Sequence, residues 1–184
     1  MTHPILFTGH MIDSDDRTDA RFPADKEEIV SDAIYEQLQL IKRDEKGILI
    51  GIASGACGGD ILFHERCKEL GIETEMYLAA PIEEFRKQSV SFGGVDWEAR
   101  FDTLVNTITV HILPKEKKTN KADNIWALTN HWMLDTAFMK GESNFTLLAL
   151  WDGKGGDGDG GTEHMIEVSK KKEAKINIIN INKI

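Results

Sequence analysis

Apolar positions along the chain fall into two rhythms, short continuous runs and longer stretches spaced by three and four, and their alternation predicts strands interleaved with helices. Ile5-Leu6-Phe7 is a short apolar run closed by Thr8-Gly9-His10, which reads as a buried strand delivering a loop. Met11 to Pro23 is polar and long enough to be read as a surface loop with a functional or mobile role. From Ala24 to Arg43 the positions Ile29, Val30, Ala33, Ile34, Leu38 and Ile41 recur at helical spacing, as in a helix laid over a sheet. Gly47 then releases Ile48-Leu49-Ile50-Gly51-Ile52-Ala53, the nearly continuous pattern of a strand buried on both faces.

That strand ends in Ser54-Gly55-Ala56-Cys57-Gly58-Gly59-Asp60, followed by a helix over Ile61 to Leu70 and a strand over Glu73 to Ala79. Such a strand, glycine loop, helix and strand fit the length of a right-handed parallel crossover, about 30 residues. Helices are predicted from Pro81 to Val90 and from Asp96 to Val105, then a strand over Thr107 to Leu113 and a polar surface loop over Lys115 to Asn120. A helix from Asp123 to Lys140 follows, whose aromatic Trp126, Trp132 and Phe138 read as core. The strand Phe145 to Leu150 meets the densest glycine segment, Gly153 to Gly161, before a helix over Glu163 to Lys172 and a strand over Lys175 to Ile181. The pattern specifies an α/β chain with a Rossmann-like three-layer fold and a mainly parallel sheet. Residues 1–184 are read as one domain.

The 41 % hydrophobic content is enough to fill one core in a chain of 184 residues. A net charge of -9 argues against sequence-independent nucleic-acid binding, which depends on Lys and Arg neutralising phosphates. Cys57 and Cys67 form no CxxC pair, so neither a disulfide framework nor a zinc ribbon is indicated. No run approaches the ~18 apolar residues of a membrane span, and the first residues lack a basic region ahead of a long apolar one. The expectation is a cytoplasmic chain with no membrane contact, no metal and no cofactor, and self-association as a homo-oligomer is left open.

In an open parallel sheet, ligands sit outside the carboxyl ends of the strands, where helix N-termini turn free N–H groups toward anions. Two glycine loops have that placement. Gly55, Gly58 and Gly59 in the first, and Gly158, Gly160, Gly161 and Thr162 in the second, are expected to let backbone approach a phosphate. Gly9, His10 and Ser54 stand at strand ends, His164 in the first turn of the last helix, and Asp60 beside Gly59 is placed either to cap a helix or to meet a ribose hydroxyl. Arg86 and Arg100 are the candidate cationic partners, while His3, His64, His111 and His131 have no positional argument. The first loop is not GxGxxG and neither loop ends in GK[ST], which disfavours ordinary NAD binding and a P-loop. Asp157-Gly158-Asp159 fails the EF-hand pattern at Gly161 and Val168. The expected partner is thus a nucleotide-like small molecule.

On those two loops the chain resembles the SLOG superfamily, which joins the DNA-processing Smf proteins to the Lonely Guy phosphoribohydrolases. It is most similar to SLOG-like modules of bacterial tetratricopeptide-repeat and signalling proteins. Phe7-Thr8-Gly9-His10-Met11-Ile12-Asp13, Arg21-Phe22-Pro23, Gly94-Val95-Asp96-Trp97 and Trp151-Asp152-Gly153 carry that closer resemblance. It implies a Rossmannoid domain binding nucleotides or nucleotide-derived signals, in some members for antiphage defence. Hydrolytic members use the Arg of Met-x-x-Arg-Lys and the Glu of Gly-Gly-x-Gly-Thr-x-x-Glu. Here Met133 is followed by Thr136 and Ala137 at the Arg-Lys positions, and Gly161-Thr162 by Met165 at the Glu position. The resemblance therefore implies a binding module. The enzyme alternative is an N-glycosidic nucleotide hydrolase relying on another carboxylate, Asp13, Asp152 or Glu163, and ordinary nucleoside monophosphates are expected to be poor substrates.

Overall fold

The structure, a computed structural model, describes residues 2–117, 124–154 and 161–184. In chain order the elements are β1 (Thr2–Gly9), α1 (Glu27–Asp44), β2 (Ile48–Ala53), α2 (Gly59–Glu69), β3 (Glu73–Leu78) and α3 (Ile82–Ser89). There follow α4 (Val95–Val105), β4 (Thr109–Ile112), α5 (Ile125–Lys140), β5 (Thr146–Trp151), α6 (Thr162–Lys171) and β6 (Lys175–Asn180). The strands pair in the order β4-β3-β2-β1-β5-β6, and every pairing is parallel. The chain moves outward from β1 to β4, then crosses to β5 on the other side of β1. That reversal makes the β1/β5 seam the topological switch point of the sheet.

Side chains alternate between the two faces as strand geometry requires. Ile5, Phe7, Ala53, Met76, Leu78, Leu148 and Leu150 pack with α1, α2, α3 and α4 in one layer. Leu6, Ile52, Tyr77, Leu147 and Ala149 pack with Met133, Leu134 and Ala137 of α5 and with Met165 and Ile166 of α6 in the other. Phe7 and Phe63, both fully buried, stack at 4.8 Å between ring centroids and join β1 to α2.

Element boundaries move where backbone bonds dictate. β1 starts at Thr2 because Thr2, His3 and Pro4 pair with Ile48, Leu49 and Ile50. β4 starts only at Thr109, since the amides of Thr107 and Ile108 return to the Leu104 carbonyl and finish the turn of α4. Asn124 caps α5 by accepting from the amides of Trp126 and Ala127, both at 3.1 Å. Among the described residues no helix is long and apolar enough to cross a membrane.

Candidate functional site

Because all strands are parallel, the ends of β1 at Gly9, β2 at Ala53 and β5 at Trp151 reach the same edge, as the sequence reading requires of its loops. A cavity of about 690 Å³ opens there, across the switch point. Thr8, Gly9 and His10 form its floor at the end of β1, Ser54, Ala56 and Asp60 one wall, and Trp151, Gly161 and Thr162 another. Phe85, Gln88 and Ser89 of α3, with Phe92, face Trp126, Asn130 and Met133 of α5 across it.

The long loop after β1 closes one side. Met11 bridges to Gly58, the Ile12 amide donates to the Cys57 carbonyl at 3.0 Å, and the Gly59 amide donates to the His10 carbonyl at 3.1 Å. Asp13 folds the loop on itself: its Oδ2 accepts the amides of Arg21 and Phe22, both at 2.9 Å, while Arg17 Nε stands 3.4 Å from its Oδ1. Ile12 and Phe22 are buried beneath. Folded this way, the loop brings Ser14, Arg17 and Arg21 to the cavity.

Several sequence expectations change here. Gly58 has φ +107°, and a Cβ placed on it would stand 2.4 Å from the Ile12 nitrogen. A Cβ on Gly55 would meet Met76 Sδ at 2.8 Å, and one on Gly59 the Phe7 ring at 3.1 Å and the His10 carbonyl oxygen at 3.2 Å. These glycines let the β1 loop and the α2 start pack backbone to backbone; none of the three lines the cavity. Close packing accounts for the glycines of the first loop, whose Ser54, Ala56 and Asp60 reach the cavity instead. Arg86 also lies outside the cavity lining, held by Glu83 at 3.1 Å and Asp102 at 2.5 Å. Arg100 is paired with Glu27 and Glu65 and rests over the Trp97 ring. The arginines at the cavity are Arg17 and Arg21. Gly158 and Gly160 lie outside the described residues, whereas Gly161 and Thr162 line the wall where α6 begins. His164 and Glu163 do not line it.

Asp60 does line it, at the entry to α2. Its Oδ2 accepts the Ala56 amide at 3.2 Å, and burial pushes its carboxyl up to about 7, against the weaker opposing pull of that hydrogen bond. One turn along α2, the fully buried His64 donates from Nε2 to the Ser54 carbonyl at 2.8 Å and so fixes the strand end beside Asp60. Burial drives that ring down to about 4, so it is neutral at ordinary pH. Cys57 is no nucleophile, since burial and the nearby Asp60 carboxylate push its thiol up to about 12.

His10 and Asp152 join β1 to β5. His10 Nε2 accepts the Asp152 amide at 3.2 Å and stands 3.3 Å from Asp152 Oδ1. One lone pair cannot serve both contacts: the neutral ring takes the amide bond, and a protonated ring donates to the carboxylate instead. Burial lowers the His10 pKa despite the Asp152 charge, which favours the amide-bonded form. Asp152 also accepts the Lys154 amide at 3.0 Å and its pKa is lowered, the push of burial being outweighed by that bond and by His10.

At the positions implied by the resemblance, Met165 is buried against the sheet and Thr136 donates to the Trp132 carbonyl within α5. Trp126, expected as core, is 38 % exposed and forms cavity wall. Helical spacing marks it only as inward-facing, and a cavity wall and a packed core share that direction. Arg17 and Arg21 lacked any periodic signal, because a fold-back loop carries none.

No family model matches the chain, and no curated protein matches it. Among solved structures, the X-ray structure of DNA processing protein A from Streptococcus pneumoniae is similar, at 11 % identity and a TM-score of 0.45. The match covers 97 % of this chain and 59 % of that one, so this chain spans about three-fifths of that protein's length.

Proposed function

We propose that the chain binds a phosphate-bearing, nucleotide-like small molecule in the switch-point cavity, as a receptor or sequestering module of the kind used in signalling or antiphage defence. The observation that carries the reading is the lining itself: aromatic rings and arginines share one concave site at the carboxyl edge of a parallel sheet. Its volume falls within the usual range of small-molecule sites, about 300–1,000 Å³. Phe92, Trp126 and Trp151 offer flat apolar surface to a base, while Arg17, Arg21 and the entry to α6 supply positive potential for phosphate. Ser54, Gln88, Asn130 and Asp60 provide polar contacts of the sort that select sugar hydroxyls and base edges.

Mass spectrometry of the purified protein, followed by calorimetry with adenosine and guanosine mono- and diphosphates, tests the proposal. Trp126→Ala is expected to weaken the tightest of these by about 5- to 150-fold, the usual worth of one base–aromatic stack. Failure of every member to bind, with no small molecule carried through purification, would sink the reading.

The hydrolase alternative changes its residues. Asp13 is committed to its own loop, and neither Asp152 nor Glu163 lines the cavity. The carboxyl at the cavity that titrates near neutrality is Asp60, so base release from a nucleotide that vanished in Asp60→Asn would promote this alternative.

A further inference from the structure

His131 on α5 and His164 on α6 bring their Nε2 atoms to 3.3 Å, with ring planes 82° apart. They stand 33 residues apart in sequence and meet only because the two helices lie side by side on one face of the sheet. The contact is at the surface, His131 exposed and His164 half-buried. Two nitrogens each about 2.05 Å from a tetrahedral zinc ion stand about 3.3 Å apart, which is the spacing already present. In the metal-free protein the same 3.3 Å contact is a hydrogen bond between the rings, long and, at the surface, open to competition from water.

We propose that His131 and His164 form a two-imidazole site for a late first-row divalent metal ion, Zn²⁺ foremost, beside the cavity. Imidazole nitrogens select Zn²⁺, Cu²⁺ or Ni²⁺ over Mg²⁺ and Ca²⁺, which require oxygen ligands. Among the described residues no third His, Cys, Asp or Glu completes a cluster with them. Among the described residues the remaining coordination positions thus fall to water or to an incoming anion, unlike the four protein ligands of a structural zinc site. Asn130 and Thr162 line the cavity, one residue from His131 and two from His164, so an ion held here adds positive charge close to the cavity. The site stands independently of the nucleotide reading.

Titration with zinc chloride against a chromophoric chelator tests it on the full chain and on His131→Ala, His164→Ala and His111→Ala. One ion per chain is expected, weakened at least about tenfold in each of the first two variants and unchanged in the third. Zinc should raise the melting temperature of the parent and of His111→Ala, but not of the other two. Zinc binding that survives both His131→Ala and His164→Ala, or no binding by the parent, overturns the proposal. Matched metal-free melting curves distinguish lost ligation from a damaged fold.

Discussion

Asp60→Asn is expected to raise the unfolding free energy at about pH 8 by up to about 4 kcal/mol, with the gain fading to nothing near pH 4. Burial is the cause: above pH 7 the Asp60 carboxylate is ionised inside the protein, at a cost that an unfolded chain does not bear. Its folded pKa is raised, so between about pH 4 and 7 the folded state binds more protons than the unfolded one. Stability from this residue therefore rises on acidification through that window, and the penalty is complete above it. His64 acts in the opposite direction. Its folded pKa is lowered to about 4, so the unfolded state takes the extra proton below about 6.5, and stability falls on acidification over nearly the same range. The two trends oppose each other in the parent, whereas in Asp60→Asn only the His64 trend remains. Urea titrations from about pH 4 to 8 read the difference between the two proteins. A difference that did not vary with pH would show that the carboxylate is solvated, and would remove the argument from burial.

Gly58→Val is expected to cost about 4 kcal/mol of stability before any ligand is added, a cost separate from any effect on phosphate approach. A side chain at φ +107° is strained by about 1–3 kcal/mol, and the added Cβ stands 2.4 Å from the Ile12 nitrogen and 2.9 Å from the Met11 carbonyl carbon, both of them backbone. Relief requires the β1 loop to leave α2, breaking the Ile12–Cys57 and Gly59–His10 hydrogen bonds. Denaturant melts of ligand-free protein measure this directly. An unchanged midpoint accompanied by lost ligand affinity would restore the phosphate-cradle reading of Gly58.

These two residues also mark the limit of what the sequence discloses. The alternation of buried runs and amphipathic stretches was enough to place all six strands and the edge at which Gly9, Gly55 and Trp151 gather. That legibility is physical, since a strand buried on both faces and a helix covering it leave different periodicities. The glycines were legible as necessary, but not as necessary for what. A positive φ and a backbone neighbour at contact distance come from residues far along the chain, here Met11 and Ile12 against Gly58. Likewise Asp60 could be assigned to a helix start, but its displaced proton affinity depends on the burial imposed by its surroundings. The pairing of His131 with His164 has no local signature at all, because it is made by the packing of α5 beside α6.

The place of β1 in the sheet bears on how the cavity comes into being. Ile5 lies beside Gly51 on one side and Thr146 on the other, so the strand's second edge stays unpaired until a segment some 140 residues away arrives. Closing so long a loop is a slow step, and the open edge meanwhile presents a row of unsatisfied backbone groups. The cavity spans that seam, with His10 on one bank and Trp151 on the other. It therefore depends on a pairing between segments far apart in the chain, and is lost if the seam parts. A ligand seated across it acts as a clasp between early and late halves of the chain, and its affinity appears as resistance to that parting.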